Sequence, residues 1–304
     1  MFLFLQGVLT GAVRSETSVL YATLGETLGE RAGITNLGME GCMLMGACLG
    51  FVTMAHTDNL ALSMMAAALA GGLSSLIHAF LVVTRRANQL ASGLALMFFG
   101  LGVTGFIGRP YVGMKIRGLN ELPIPYLSEI PFVGPILFTH DVLTYLTYLL
   151  TPLLWVFLFY TRWGLAVRAV GENRTVAYAS GLRPSLIQYL AVFFGGMLAG
   201  LGGAHLSIAY THMWVEGMTA GRGFIAVALV IFSMWHPLRG MLGTLLFGGA
   251  IAFQLQLQAR GSRISPYILD MTPYLLTLAV LLLWGRTRKH AMPEGLKAVF
   301  EGVD

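Results

Sequence analysis

Residues 184 to 215 read PSLIQYLAVFFGGMLAGLGGAHLSIAYTHMWV, thirty-two residues without an Asp, Glu, Lys or Arg. A bilayer core needs about 20 apolar residues in a helix, so this stretch alone is long enough to cross one. Within it, Gly195-Gly196-Met197-Leu198-Ala199-Gly200-Leu201-Gly202-Gly203 sets small residues at three- and four-residue spacing. That spacing lets helix backbones approach closely where lipid leaves no hydrophobic drive between helices. Working outward, further charge-free runs lie at 41 to 57, 59 to 84, 87 to 108, 142 to 161, 223 to 238, 240 to 259 and 271 to 285. The two shortest fit helices that are broken, tucked against neighbours or extended by a snorkelling Arg. None of the runs alternates apolar and polar residues as a barrel strand would. Over all 304 residues, 56% are hydrophobic and 11% charged, too few charges to cover a water-facing surface. A soluble enzyme is excluded. The fold class is an all-α polytopic membrane protein of eight spans, with a ninth at the N-terminus as an option, built as one transmembrane domain over residues 1–304.

Loop charge orients the chain. Strict alternation puts eleven Lys and Arg on the cytoplasmic side, at Arg85-Arg86, Arg162 to Arg183, Arg239 and Arg286 to Lys297, against six outside: Arg109, Lys115, Arg117, Arg222, Arg260 and Arg263. The segment 109–141 carries Pro110, Pro123, Pro125, Pro131 and Pro135 and reads as an ordered extracytoplasmic loop. Topology accounts for the scattered basic residues, so the net charge of +5 does not indicate a nucleic-acid partner. Cys42 and Cys48 share one run and read as inert packing residues. Met1 to Leu9 lacks a basic n-region and a small-residue cleavage site, which points to an interfacial helix or part of a first span.

The cytoplasmic loop 162–184 is the most informative polar stretch. Asn173 is an N-cap, Glu172 places a carboxylate at a helix's positive end, Arg174 to Ser180 makes two turns, Gly181 suits the left-handed C′ position and Pro184 stops continuation. A capped helix of about 10 Å is either a knob for a socket on another protein, with Ala177 on its docking face, or an ordinary connecting turn.

Two Gly-rich stretches with charges suggest broken backbone. Glu26, Glu30, Arg31 and Glu40 crowd in beside Gly25, Gly29, Gly33, Gly38 and Gly41. Glycine at that density argues against one continuous helix, and unwound backbone in a membrane must be covered by protein or line a cavity. Residues 29–41 thus read either as a re-entrant element near a pathway, or as a cytoplasmic loop with a Glu40–Arg31 pair. Gly217 to Gly223, with Thr219 and Arg222, is a second such element, and the two suggest an inverted repeat. Polar and aromatic residues inside spans, among them His78, Gln89, Ser92, Phe98, Phe99, His205, Gln254, Gln256 and Gln258, either line a slot for a flat solute or make helix contacts.

No lysine follows a glycine, so no phosphate-binding loop exists, and no metal-ligating, catalytic or Asp-rich pattern appears among four aspartates. Catalytic and metal sites are none. Membrane acids such as Glu40 leave proton-coupled transport as an alternative.

Three segments carry a resemblance: Gly164-Leu-Ala-Val-Arg168-Ala-Val-Gly171-Glu172-Asn173 with Ala177 and Gly181; Gly29-Glu-Arg-Ala-Gly33-Ile-Thr-Asn36-Leu-Gly38-Met-Glu40-Gly41; and Gly221 to Gly240. Jointly they resemble ABC importer permeases of the branched-chain amino acid, ribose and nucleoside superfamily, and most of all the shorter permease of nucleoside systems that use a basic-membrane-protein-type binding lipoprotein. Ser233-Met234 departs from that pattern, where a Gly and a basic residue are commoner. The resemblance implies a multi-pass protein of the bacterial inner membrane that imports a nucleoside or, alternatively, a simple sugar. It implies an ATPase partner that binds ATP and Mg, a solute-binding protein, a second permease of related but longer sequence, and no cofactor in this chain. It assigns ATPase coupling to Arg168, Gly171, Glu172, Asn173, Arg174, Ala177 and Gly181, and a substrate pathway to Asn36, Glu40, Phe98, His205 and Arg222.

Overall fold

The computed structural model describes residues 2–261 and, beyond them, 265, 268–269, 271–272, 275, 278–279, 292–297 and 299. The span expected at 271 to 285 lies mostly outside the described residues. Helices α1 (Phe2–Arg31), α2 (Met39–Thr57), α3 (Leu60–Ala79) and α4 (Gln89–Gly108) come first. The segment 109–141 follows, with a two-residue antiparallel pair, β1 (Leu122–Pro123) with β2 (Thr139–His140), around the short α5 (Val133–Leu137). Then come α6 (Val142–Tyr160), α7 (Arg162–Glu172), α8 (Arg174–Ala179), α9 (Pro184–Ala204), α10 (Arg222–Phe232) and α11 (Pro237–Ala259). Extended by a π-helical turn, α3 runs to Thr84 and α9 to Tyr210.

Six described helices are long and apolar enough to cross a membrane: α2, α3, α4, α6, α9 and α11, at the expected runs. The seventh run, 223 to 238, holds only the eleven-residue α10. We call the end of the bundle that carries α7 and α8 its inner end, and the end that carries 109–141 its outer end. Arg14 pairs with Glu121 at 2.8 Å and Thr10 bonds Pro135, fixing the start of α1 at the outer end. Gly171 of α7 touches Arg31, fixing its finish at the inner end.

Helix α1 is the axis of the molecule, with every residue from Ser15 to Glu30 buried. It is continuous through Gly25 and Gly29 to Arg31, so the irregular stretch expected over 29–41 begins only at residue 32. Those glycines serve contact instead of disruption. A Cβ at Gly25 would lie 2.3 Å from the carbonyl oxygen of Gly195 on α9. The glycine run of α9 works the same way on three sides, since Gly202 meets Ser18 of α1, Gly200 meets Ala67 of α3 and Gly203 meets Met43 of α2. Cys42 and Cys48 are buried and free, as packing residues should be. Lipid-sized apolar side chains such as Leu69, Leu73, Leu149, Leu153, Leu190 and Leu246 point outward from α3, α6, α9 and α11.

Candidate functional site

The chain is unwound inside the bundle at two places. The first is residues 32–38, between α1 and α2, narrower than the stretch 29–41 expected to be irregular. Its backbone is paired by side chains from four helices. Glu26 Oε1 accepts from the Asn36 N–H at 2.7 Å, Gln89 Oε1 accepts from the Thr35 N–H at 2.7 Å, and Gln89 Nε2 donates to the Gly33 carbonyl at 3.3 Å. Gln188 Nε2 donates to the Ala32 carbonyl at 3.1 Å, and His78 Nε2 lies 3.0 Å from the Thr35 carbonyl. That contact requires the proton on Nε2, leaving Nδ1 to accept from the Ser92 hydroxyl at 3.0 Å. A buried peptide group left unpaired costs about 1–3 kcal/mol, so these side chains are what permits a break here. Asn36 turns its Oδ1 onto the Gly38 N–H.

The second break, 211–221, leads into α10. Its reversal uses Gly217 and Gly221 in the left-handed region, at φ +65° and +83°. Here one carboxylate does the pairing. Glu40, in the first turn of α2, accepts from the Thr219 hydroxyl (2.5 Å) and the Gly221 N–H (2.8 Å) on Oε1, and from the Gly223 N–H (2.7 Å) on Oε2. It therefore caps α10 from another helix, where the free N–H groups and the helix dipole both favour an anion. The Glu40–Arg31 pair of the cytoplasmic-loop alternative does not form. Arg31 instead donates from Nε to the Trp235 carbonyl at 3.0 Å. Nor does Arg222 sit in an outer loop. It opens α10 beside Glu40, sixteen residues along α2 from His56, or about 24 Å at helical rise, and His56 bonds Tyr111 at the outer end.

Asn36, Glu40 and Arg222 thus share one neighbourhood. Phe98 does not join them, projecting from the open side of α4 at 65% exposure. His205 is fully buried, 3.5 Å from Asp141 at the outer end, and lines no open space. His78, Gln89 and Ser92, weighed as slot residues, bind the first break.

At the inner end, α8 matches its predicted caps. Asn173 Oδ1 accepts from the N–H groups of Thr175 and Val176, both at 3.0 Å. Gly181 is left-handed at φ +85°, and Leu182 N–H closes onto the Ala177 carbonyl at 3.1 Å. The helix ends at Ala179, one residue before the expected Ser180. Ala177 is buried against the rest of its own chain, not on the outer face. The exposed apolar side chains are Val176 and Tyr178. Sequence reading missed α7, whose signal is the Thr161 N-cap, with its Oγ1 accepting from Gly164 N–H. Val167, Val170 and Gly171 bury α7's inner face, and a Cβ at Gly171 would lie 2.2 Å from the Arg31 carbonyl. Arg31 and Arg168 both stack on the Phe159 ring, at 5.3 and 5.1 Å. Arg174 donates to Ser185 and Glu172 accepts from the Glu294 N–H. So α8 stands on a base that is packed against the last residue of α1 and the first break.

A family model described as "Branched-chain amino acid transport system / permease component" matches residues 7–283. The chain belongs to that family. It is 40% identical over 300 residues, 91% of each chain, to the putative glucose ABC transporter permease protein TsgC13 of Haloferax volcanii. It is 34% identical to the guanosine ABC transporter permease protein NupQ of Bacillus subtilis, over 86% of this chain and 87% of that one. The guanosine ABC transporter permease protein NupP of the same organism matches at 23%, over 78% of this chain and 70% of NupP. No solved structure matches. The protein is a permease subunit of an ABC transporter and a multi-pass protein of the cell membrane. Its two breaks and its surface helix are parts of that permease.

Proposed function

We propose that this permease imports a nucleoside, driven by a separate ATPase that binds ATP and Mg and docks on α8. The observation that carries the coupling reading is α8 itself, a capped knob with Val176 and Tyr178 exposed at 60% and 72%, fixed to the end of α1 through Gly171. Arg168, Gly171, Glu172, Asn173, Arg174 and Gly181 build and brace that knob, and Ala177 seats it. Motion imposed on α8 would reach residues 32–38 first and Glu40 next, so Asn36, Glu40 and Arg222 are proposed to shape the pathway rather than to select the solute. Phe98, with Phe99 beside it, offers flat apolar contact on the open face of α4.

The likeness to NupQ supports a nucleoside, and that to TsgC13 supports a sugar as the second reading. Competition decides between them in proteoliposomes carrying the complex with its solute-binding protein. Excess guanosine should abolish labelled-nucleoside uptake and glucose should leave it intact, while the reverse pattern establishes the sugar reading. Survival of uptake with an uncoupler, while ATP remains, separates ATP drive from proton coupling.

The second permease is proposed to be a different, longer chain, as NupQ and NupP are two distinct permeases named for one solute. Mass measurement of the intact complex tests this, and two identical copies would refute it. Asn173→Ala removes both cap bonds, costing about 0.5–2 kcal/mol. It should lower solute-stimulated ATP hydrolysis and uptake together without loss of inserted protein.

A further inference from the structure

Residues 292–297 return to the inner end of the bundle and touch three elements that are separate in sequence. The Glu294 N–H donates to Glu172 Oε2 at 3.2 Å, at the end of α7. Gly295 lies so close to the same helix that a Cβ there would be 2.7 Å from the Gly171 carbonyl, and 3.9 Å from Gly33 Cα in the first break. Leu296 is fully buried among Val230 and Trp235, with Met292 and Ile231 beside it. Trp235 belongs to the turn between α10 and α11.

That turn is strained. Met234 and Trp235 both adopt left-handed backbone, at φ +54° and +55°, which a side chain with a Cβ disfavours. Such a conformation persists only where surrounding contacts over-determine it. Three contacts do so. The Trp235 indole N–H donates to Glu30, Arg31 holds the Trp235 carbonyl, and Leu296 covers the tryptophan. The first two come from α1. The third comes from the tail, which is also tied to α7.

We propose that residues 292–297 are a staple that passes displacement of α7 and α8 to the turn below α10, with Leu296 as the positioning residue. The proposal rests on the reading of α8 as the ATPase-coupling helix. With the staple in place, a shift of α7 moves Glu294 and Gly295, and through Leu296 the strained turn that sets where α10 lies against Glu40. A tail that merely rested on the surface would not bury a leucine completely or need a glycine pressed on a backbone carbonyl.

The test uses the assembled complex with both permeases, ATPase and solute-binding protein in proteoliposomes. Three variants are compared: Leu296→Ala, Leu296→Met, and Val176→Asp on α8. Leu296→Ala should lower the ratio of solute-stimulated to solute-free ATP hydrolysis by about fivefold, the lower end of typical coupling between sites. Leu296→Met, which keeps volume and apolarity, should restore it. Full stimulation in Leu296→Ala, with loss in Val176→Asp, overturns the staple and leaves α8 as the coupling helix. Full stimulation in both overturns the coupling reading itself. Should Leu296→Ala fail to assemble, Gly295→Ala answers the same question, since its Cβ would lie 2.7 Å from the Gly171 carbonyl and press the tail away from α7. Stimulated hydrolysis should then fall by a similar factor. Full stimulation in an assembled Gly295→Ala complex overturns the proposal.

Discussion

The two breaks solve one problem by different means. Both expose peptide groups inside a bundle that excludes water, and both are paired by a carboxylate from a different stretch of helix. At 32–38 the work is divided among Glu26, His78, Gln89 and Gln188, each holding one or two groups. At 211–221 it is concentrated in Glu40, whose two oxygens take a hydroxyl and two N–H groups. A distributed set tolerates loss of a member. A single cap does not. The helices that follow the breaks, α2 and α10, also meet at their N-terminal ends, with the Cβ position of Gly223 only 2.3 Å from the Glu40 N–H nitrogen. One charge therefore answers two positive helix ends.

The largest effect is accordingly expected at Glu40. Glu40→Gln keeps the shape but replaces one acceptor oxygen with an NH2 group, which must then face an N–H or O–H donor of the second break. Bonds to charged groups contribute about 1.5–3 kcal/mol each, so uptake at matched amounts of inserted permease should fall about tenfold or more. Wild-type uptake would mean that the second break has other support and that concentration of pairing in one residue is illusory. Gly223→Ala attacks the same contact from the other side and should be equally harmful.

Much of this is legible in the sequence. The charge-free runs located the six long spans because membrane insertion is a local property of sequence. Asn173 and Gly181 marked the ends of α8 because capping is decided within a turn. The glycines misled where their use was not local. Gly29 reads as the start of the irregular stretch 29–41, yet its missing side chain, like that of Gly25, is consumed by contact, with the chain at Ile34 and with Gly195 of α9 respectively. The partners of Glu40 lie about 180 residues away, which no spacing rule reaches, and so Arg31 looked like the nearer answer. Ala177 failed for a related reason. A six-residue helix has no periodicity of its own, and the packing beneath it decides which side is covered.

An intermediate effect is expected at Gln89. Gln89→Leu keeps the size of the side chain and removes both the acceptor for Thr35 N–H and the donor to Gly33 carbonyl. Two groups left unpaired at about 1–3 kcal/mol each should lower the thermal midpoint of the purified complex while the remaining protein still transports. If stability is unchanged, water or a neighbouring side chain already replaces Gln89, and the first break is more forgiving still. If transport is lost at unchanged stability, residues 32–38 move in the cycle and Gln89 is part of the moving contact.

The smallest effect is expected at Glu26, and it probes the comparison most finely. Glu26 is fully buried and accepts one N–H from Asn36 at 2.7 Å. The next acid along the helix face, Glu30, takes the Trp235 indole. No Lys or Arg side chain is ion-paired with either acid among the described residues. A buried carboxylate without a cationic partner is costly, so neutralising one acid removes a repulsion at the same time as it weakens a bond. In Glu26→Gln the amide oxygen can still accept from Asn36 and the amide NH2 can face Glu30, so the loss is about 1 kcal/mol or less. Uptake within about twofold of wild type is therefore expected, together with an unchanged or slightly raised thermal midpoint. A fall as deep as that of Glu40→Gln would erase the contrast, because it would show that the first break also hangs on one charge. Glu26→Ala separates the two contributions, since it deletes the acceptor as well as the charge. It should cost more than Glu26→Gln by the price of one unpaired N–H, a difference the same melting measurement resolves.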